Sequence, residues 1–222
     1  MRRAFIGDLN ERLVRSYCGI RDDVEDVIAR LDVYRSHHDK DHYYRVRAVN
    51  IDVESSNAAV AAWVIYLNKT GFNGLYRVNS KGGFNVPLGS YTNPRILDEP
   101  NLRACSRVLS LASIICESFE ASLDRVEPGD VVYFDPPYVP LSSTANFTSY
   151  TKSGFGPKEQ VRLRDLALTM KQRGVRVFLS NHDTQEVRDL YGGEFEWKEV
   201  KVGRAINSKG SKRGRVGELI IW

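Results

Sequence analysis

The sequence predicts an α/β fold in which a short parallel sheet carries a long helical insertion and ends in an antiparallel hairpin. The first observation is a set of apolar runs of strand length, separated by segments with helical spacing of apolar residues. These runs occupy residues 3–7, 113–116, 131–134 and 175–179. The second is an insertion of helical patterns and glycine-rich loops over residues 11–99, and the third is a pair of strand-like runs at residues 195–202 and 216–222.

The composition is that of a globular chain. Of 222 residues, 42% are apolar and 27% are charged, and this length can bury a sizeable core. No apolar run reaches transmembrane length and no secretory signal opens the sequence, so we expect a cytoplasmic protein without a membrane partner. The cysteines have no metal-ligand spacing and are expected to be buried, reduced thiols: Cys18, Cys105 and Cys116.

Acidic residues are unevenly distributed, although the net charge is only +4. Residues 55–97 and 200–217 contain no Asp or Glu, and both stretches carry lysines and arginines. Acid-free basic stretches favour a polyanionic partner, and the glycines, asparagines and aromatics among them favour nucleic acid. The alternative is a solvated charged face, which is the usual role of a basic run.

The first predicted strand, residues 3–7, ends at Asp8, and apolar residues with helical spacing begin directly after it. A carboxylate at this place can hold ribose hydroxyls in nucleotide-binding α/β domains, or it can simply cap the following helix. The spacing leaves both roles open. Asp22 or Asp23 is placed to cap a second helix, whose predicted apolar face is Val24, Val27, Ile28 and Leu31.

Three features of the insertion can be predicted next. The histidines of residues 37–42 indicate a solvated turn rather than a metal site, because no second ligand cluster accompanies them. The serine pair at residues 55–56 is predicted to cap a buried helix over residues 58–67. Residues 68–91 are rich in glycine and aromatics and predict a loop and a β-hairpin, in which each aromatic could stack on a base or pack in the core.

Further helices are predicted between the later strands. Pro100 is suited to open a helix that reaches about residue 108. The run at residues 113–116 predicts a short buried strand, and a short helix is predicted over residues 121–126. Residues 139–156 contain no acid and many Ser, Thr and Asn, which is typical of a flap over a substrate.

The last predicted helix of this region opens at Pro157 and ends near residue 173. Its expected buried stripe is Val161, Leu166, Ala167 and Met170. After the strand at residues 175–179, Asp183 is predicted to cap another helix. His182 could act as a general base, but we interpret it as an ordinary loop histidine.

The most informative stretch is Asp135-Pro136-Pro137-Tyr138, which directly follows the apolar run at residues 131–134. It therefore stands at the carboxyl end of a predicted parallel strand, where α/β sheets bind ligands. Two prolines stiffen the loop and remove N–H donors, so that it offers a carboxylate and bare carbonyls beside an aromatic ring. Two such acceptors could draw an exocyclic amine towards tetrahedral geometry while the ring stacks on the base. The plain alternative is a strand-ending turn with a surface aspartate.

This motif resembles the catalytic motif of amino-group methyltransferases that use S-adenosylmethionine. Residues 66–77, 83–89 and 139–150 resemble the Dam family of DNA adenine-N6 methyltransferases, and the resemblance extends over nearly the whole chain. It implies a Rossmann-like methyltransferase sheet, double-stranded DNA as the partner and GATC as the target. A bacterial or phage-type protein without a metal or an obligate protein partner is expected.

The resemblance also implies two functional segments and a role for each residue of the motif. Residues 1–10 and 100–222 would form the catalytic domain, and residues 11–99 would form a target-recognition insertion. Asp135 and the Pro136 carbonyl would accept hydrogen bonds from the adenine amine. Tyr138, which follows Pro137 in the motif, would stack on the base. The implied cofactor contacts are Asp8 for the ribose, Ser118 and Phe119 for the adenine, and Asp135 near the methyl. For the two adenine contacts, the alternative is a turn and a core aromatic.

For the target, the resemblance implies that the glycine-rich region reads the DNA sequence. The implied contacts are Phe72 and Asn73 at the flipped base, Leu75 and Pro87 at a thymine methyl, Arg77 at a guanine and Tyr91 at an outer base pair. Phe84 is assigned to the core. Further DNA contacts are expected from Asn146, Lys209, Lys212 and Arg213.

The chain departs from the Dam family in one respect. The family begins with a strand and a glycine-rich F-x-G-x-G loop that cradles methionine, and the sequence contains neither. We therefore expect weak cofactor binding and exposed strand edges at residues 3–7 and 131–134 for the chain as written. Two alternatives stay open: a non-catalytic DNA-binding remnant, and a methyltransferase for cytosine N4 or a protein glutamine amide.

Overall fold

The computed structural model describes residues 4–141, 155–203 and 215–222. Most of the predicted flap lies outside the described residues, as do four of the predicted DNA contacts: Asn146, Lys209, Lys212 and Arg213. The chain divides into two compact units, Met1–Ser118 and Phe119–Trp222, and each has its own hydrophobic core.

In the first unit, helices surround one apolar helix. The strands are β1 (Ala4–Gly7) and β2 (Ala112–Ile115), and the helices are α1 (Glu11–Asp22), α2 (Val24–Ser36), α3 (Lys40–Ala48), α4 (Asn57–Thr70) and α5 (Glu99–Leu109). α4 is apolar on nearly every face, and α1, α2 and α3 pack against it. Trp63, Tyr66 and Leu67 are at most 1% exposed, which confirms the prediction of a buried helix here.

Short polar side chains fix where these helices begin. The side chains of Asn10, Asp39, Ser56 and Asp98 accept hydrogen bonds from backbone N–H groups in the first turns of α1, α3, α4 and α5. Such bonds satisfy donors that have no partner inside the helix. The predicted serine cap of α4 is confirmed. Asp23 stands at the cap position of α2, but its side chain makes no capping bond.

In the second unit, two helices pack on a four-stranded sheet. The strands are β3 (Val131–Phe134), β4 (Arg176–His182), β5 (Trp197–Gly203) and β6 (Arg215–Ile221), and the helices are α6 (Pro157–Gln172) and α7 (Gln185–Tyr191). The strand order is β3-β4-β6-β5, with β3 parallel to β4 and β6 antiparallel to both of its neighbours. β5 and β6 therefore pair in the antiparallel sense that the sequence predicts.

The end of α4 and the helix expected before β3 differ from the sequence prediction. α4 continues to Thr70 instead of ending at residue 67, because the Thr70 hydroxyl donates to the Tyr66 carbonyl and the Gly71 N–H donates to the Leu67 carbonyl. In place of a helix over residues 121–126, the chain forms a 3-10 helix at Phe119–Asp124.

The buried face of α6 also differs from the prediction. It is formed by Gln160, Leu163, Ala167 and Met170, whereas the predicted Val161 is 39% exposed. Successive residues of a helix are rotated by about 100° around its axis. A helix that directs Gln160 towards the core therefore directs Val161 towards solvent. The prediction is confirmed for Ala167 and Met170 and wrong for Val161, because the polar neighbour Gln160 takes the buried position.

The predictions for the end of β4 were wrong as well. The strand does not stop at residue 179 but continues to His182, since Ser180 and Asn181 pair with Ile220 and Leu219 of β6. α7 is capped by Thr184 rather than by Asp183. The Asp183 carboxylate instead accepts two hydrogen bonds from the Arg188 guanidinium, at 2.6 and 2.8 Å.

Burial is lower than predicted at β2 and at the cysteines. β2 is only partly buried because, among the described residues, β1 is its one strand partner. The three thiols are free, but Cys116 is exposed and the other two, Cys18 and Cys105, are half-buried. None of the helices in the described ranges is long and apolar enough to cross a membrane.

Candidate active site

The carboxyl ends of β3 and β4 place the motif beside a serine. The two strands are parallel with Phe134 opposite Leu179, so the residues that follow this pair, Asp135 and Ser180, are neighbours. The Ser180 hydroxyl donates to Asp135 Oδ1 at 2.7 Å. Ser180 is 2% exposed, whereas Asp135 is exposed. A buried hydroxyl therefore fixes one oxygen of a carboxylate that stays open to solvent.

Buried amide side chains hold the loop after the prolines. Gln160 of α6 donates from Nε2 to the Pro137 carbonyl at 2.9 Å. Asn181 of β4 accepts at Oδ1 from the Val139 N–H at 2.9 Å and donates from Nδ2 to Gln160 Oε1 at 3.2 Å. The loop is thus bonded at two backbone positions to side chains that also bond to each other.

His182 completes this set of contacts. Its Nδ1 lies 2.7 Å from the Val139 carbonyl oxygen, and its ring packs edge-on against the Tyr138 ring with centroids 4.9 Å apart. The residue lies in β4 and not in a loop, so the loop interpretation was wrong. Through these contacts the His182 side chain supports the Tyr138 ring.

The Tyr138 hydroxyl stays protonated over the physiological pH range. Burial raises its pKa to about 12, while a hydrogen bond with Ser180 acts in the opposite direction. The ring is half-buried, so that part of its surface remains accessible. A neutral, partly accessible aromatic ring beside an aspartate is suited to stack on a planar base.

The loop leaves a defined pair of acceptors. Ser180 bonds to one oxygen of Asp135, and Gln160 bonds to the Pro137 carbonyl. Within the described part of the chain, no donor bonds to Asp135 Oδ2 or to the Pro136 carbonyl. These two oxygens therefore keep unused acceptor capacity among the described residues.

Two predicted cofactor residues follow the carboxyl ends of parallel strands in the first unit. β1 pairs with β2, and the Asp8 N–H donates to the Ile115 carbonyl at 3.3 Å. Asp8 does not cap α1, because Asn10 does so; its Oδ1 instead accepts from the Asn10 N–H at 2.7 Å. Ser118 stands three residues after the end of β2 and is half-buried.

The other predicted adenine contact belongs to the second unit. Phe119 opens the 3-10 helix, and its ring lies 5.9 Å from that of Phe155. The Arg162 guanidinium lies over the same ring at 6.0 Å from its centroid. Phe119 is half-buried and packs against the second core, so it has the surroundings of the core aromatic that the sequence left as an alternative.

The glycine-rich region brings its predicted DNA contacts together in the first unit. Isolated antiparallel bridges join Gly71 to Leu88 and Val78 to Phe84, so the region is hairpin-like but has no continuous ladder. The Phe72 N–H donates to the Pro87 carbonyl at 2.8 Å. Asn73 has φ 53°, and Leu75 packs partly against the first core.

Several of these side chains are accessible. Phe72 is 37% exposed and Tyr91 is 47% exposed, and Arg77 and Pro87 are exposed as well. Phe84 is 6% exposed and packs edge-on against Trp63, which confirms its assignment to the core. Phe84 thus belongs to the core, whereas Phe72 and Tyr91 are accessible.

Sequence reasoning missed the residues that hold the motif, namely Gln160, Ser180 and Asn181. Ser180 and Asn181 resemble the polar end of an apolar strand, and Gln160 resembles a surface residue of an amphipathic helix. One signal could have found Gln160: it shares helical spacing with Leu163, Ala167 and Met170. Nothing in the local pattern of β4 distinguishes its serine and asparagine from a turn.

Comparison with known proteins identifies the class of enzyme to which this site belongs. Residues 1–206 match the family of D12 class N6 adenine-specific DNA methyltransferases. The chain belongs to this family, and it is an adenine-specific DNA methyltransferase by that relationship.

Three relatives illustrate the range of similarity. The chain is 39% identical over 224 residues to the type II methyltransferase M1.LlaDCHI of Lactococcus lactis, covering 99% of this chain and 78% of that protein. It is 40% identical over 231 residues to the type II methyltransferase M.MjaIII of Methanocaldococcus jannaschii, covering 99% and 80%. It is 46% identical over 157 residues to a DNA adenine methylase of Vibrio cholerae, covering 70% of this chain and 56% of that protein. The predicted relationship to the Dam family is confirmed.

Proposed function

We propose that the protein transfers a methyl group from S-adenosylmethionine to N6 of an adenine that is flipped out of duplex DNA. The observation that carries this proposal is the exposed Asp135 at the end of β3, fixed by the Ser180 hydroxyl at 2.7 Å and followed by Tyr138. A base inside the double helix cannot reach such a loop, so the target adenine must leave the stack.

In this proposal, the protein acts on the amine mainly by positioning it. Asp135 Oδ2 and the Pro136 carbonyl accept the two N–H bonds, which draws the nitrogen towards tetrahedral geometry and frees its lone pair. Tyr138 stacks on the base and Pro137 keeps the loop stiff. Asp135 is also suited to stabilise the positive charge that develops on the amine as it is methylated.

We propose that the residues predicted to hold the cofactor bind S-adenosylmethionine. Because Asn10 bonds to Asp8 Oδ1 and no described residue donates to Oδ2, that oxygen can accept from a ribose hydroxyl. Ser118 and Phe119 would contact the adenine ring, and Asp135 would lie near the methyl. The cofactor would supply a methyl group on a sulfonium: as the amine nitrogen gains the methyl, the S–CH3 bond would break, the neutral thioether would leave, and the methylated nitrogen would lose one N–H proton to solvent.

We further propose that the site read by the protein is GATC in double-stranded DNA. Arg77 would read a guanine, Leu75 and Pro87 would contact a thymine methyl, Phe72 and Asn73 would enter at the flipped base, and Tyr91 would contact an outer pair. The absence of Asp and Glu from residues 55–97 supports this role, because the phosphate backbone is polyanionic. Asn146, Lys209, Lys212 and Arg213 remain proposed DNA contacts on sequence grounds.

The finer features of the architecture belong to the same proposal. Parallel pairing of β1 with β2 and of β3 with β4, and the antiparallel β6 beside β4, support a Rossmann-like methyltransferase fold. The division into catalytic residues 1–10 and 100–222 and recognition residues 11–99 is proposed on functional grounds. A cytoplasmic location, where duplex DNA and the cofactor occur together, goes with this function.

The test is methylation of defined duplexes. The chain is incubated with labelled S-adenosylmethionine and a duplex that holds one GATC site, and the modified nucleosides are identified. N6-methyladenine in that site alone is the expected product. N4-methylcytosine as the product would show that the protein methylates the cytosine amine instead. DNA binding without any methyl transfer would favour a non-catalytic DNA-binding protein.

A further inference from the structure

We propose that Ser180, Asn181 and Gln160 are positioning residues that select which acceptors of the Asp135–Tyr138 loop face the substrate amine. The inference rests on the proposed function for its substrate. Its structural basis is a set of buried polar side chains on two elements, β4 and α6, that bond to the catalytic loop or to each other.

The burial of these side chains calls for an explanation. Gln160, Ser180 and Asn181 are 4%, 2% and 1% exposed, and their neighbours in the second core are apolar. An uncompensated buried amide or hydroxyl destabilises a fold, so such groups persist where hydrogen bonds satisfy them. Here the partners lie largely in residues 135–139, and the network extends along that loop.

The pattern of bonds divides the acceptors of the loop into two classes. Ser180 donates to Asp135 Oδ1, and Gln160 donates to the Pro137 carbonyl. Within the described residues, Asp135 Oδ2 and the Pro136 carbonyl receive no donor. An exocyclic amine has two N–H bonds. The network therefore leaves two acceptors of the loop open, one for each N–H bond of the amine.

Asn181 links the two halves of this arrangement. Its Oδ1 accepts from the Val139 N–H, and its Nδ2 donates to Gln160 Oε1, which orients the Gln160 amide so that its NH2 faces Pro137. Loss of this link would let the amide turn and present its oxygen to the Pro137 carbonyl. The prolines limit how the loop can bend, and the network sets where the loop stands.

The decisive comparison uses Ser180→Ala and Ser180→Thr, with Gln185→Leu as a control. Gln185 is an exposed glutamine of α7 that bonds to Asp189, outside the network. We expect Ser180→Ala to lower kcat at least tenfold while the Kd for duplex DNA changes less than twofold. Ser180→Thr keeps the hydroxyl and should recover to within about threefold, and the control should match the unmodified protein.

Gln160→Leu extends the test to the second bond of the network. It should also lower kcat with little effect on the DNA Kd, and a thermal unfolding measurement accounts for any loss of folded protein. A kcat near that of the unmodified protein in Ser180→Ala, or equal losses of kcat and DNA affinity, would overturn the proposal. Failure of the proposed function is distinct, because it would show as no N6-methyladenine from the unmodified protein.

A crystal structure of Ser180→Ala tests the geometry independently of activity. The Asp135 carboxylate should rotate away from its position beside residue 180 once the bond at 2.7 Å is lost. An unchanged carboxylate would show that the loop alone sets its orientation, and the positioning role would then be refuted.

Discussion

Replacing Asn85 with alanine should weaken the discrimination of one guanine without weakening DNA binding in general. Arg77, the proposed guanine reader, is already held in the free protein: its Nε donates to Asn85 Oδ1 at 2.7 Å and its Nη2 donates to the Asn85 carbonyl at 3.0 Å. These bonds use one edge of the guanidinium. The edge that carries Nη1 remains to pair with O6 and N7 of guanine.

The magnitude follows from what the substitution removes. Asn85→Ala removes the amide oxygen but keeps the backbone carbonyl, so Arg77 loses one of two restraints. Immobilising a side chain of this kind costs about 0.5–1.5 kcal/mol. In the variant, part of this cost arises when Arg77 binds the guanine, so the binding free energy becomes less favourable. We expect a loss of discrimination of about 1 kcal/mol, or roughly fivefold. Arg77→Ala should lose about 1–3 kcal/mol.

The assay is kcat/KM on a duplex with the cognate site and on one with the guanine pair replaced. Asn93→Ala serves as the control, since Asn93 is an exposed asparagine of the same acid-free stretch. In the Arg77→Ala background, Asn85→Ala should have no further effect, because the residue acts through the arginine. Additive losses, or an equal loss on every duplex, would refute this reasoning.

Three further predictions concern catalysis, recognition and stability. Asp135→Ala should abolish methyl transfer and leave the DNA Kd nearly unchanged; a rate above about a tenth of normal, or ~1.4 kcal/mol, would exclude its role. Gly89→Ala should raise KM for DNA, because a Cβ there would lie 2.5 Å from the Tyr91 ring, which must then move, and 3.1 Å from the Gly71 carbonyl oxygen; an unchanged KM would contradict this. Arg188 holds the pKa of the Asp183 carboxyl below its usual value. The lowered pKa means that the ionised carboxylate stabilises the fold above about pH 4, and that this stabilisation is lost as pH falls through the folded-state pKa. The difference in Tm between wild type and Asp183→Asn should therefore close in acid. A difference that stays constant with pH would argue against this role of the ion pair.

Much of the fold could be predicted because its signals are local. The apolar run at residues 131–134 matches β3, and Pro100 and Pro157 lie in the first turns of α5 and α6. Proline restricts its own backbone and that of the preceding residue, so its meaning does not depend on distant contacts. For the same reason, the sequence could place the Asp135 loop after a strand.

The depth of burial could not be predicted in this way. Val131 and Tyr133 are 56% and 59% exposed, although the run that contains them is apolar throughout. A strand is buried only where another layer of helices or strands covers it. The residue types of the strand do not show whether such a layer is present. Likewise, Val161 and Gln160 are adjacent on α6, and the polar one faces the core.

The roles of Ser180 and Asn181 also depend on contacts that residue type does not show. Ser180 and Asn181 follow five apolar or strand-like residues and suggest a turn, yet β4 continues through them because β6 pairs alongside. A strand interior tolerates such side chains when another element supplies their partners, and here the loop at residues 135–139 does so. The polar end of a strand that neighbours a catalytic strand should therefore be considered as support for the catalytic loop before it is assigned to a turn. In this chain the contact between Ser180 and Asp135 follows from the parallel register of β3 and β4, which pairs Phe134 with Leu179 and which the sequence does not show.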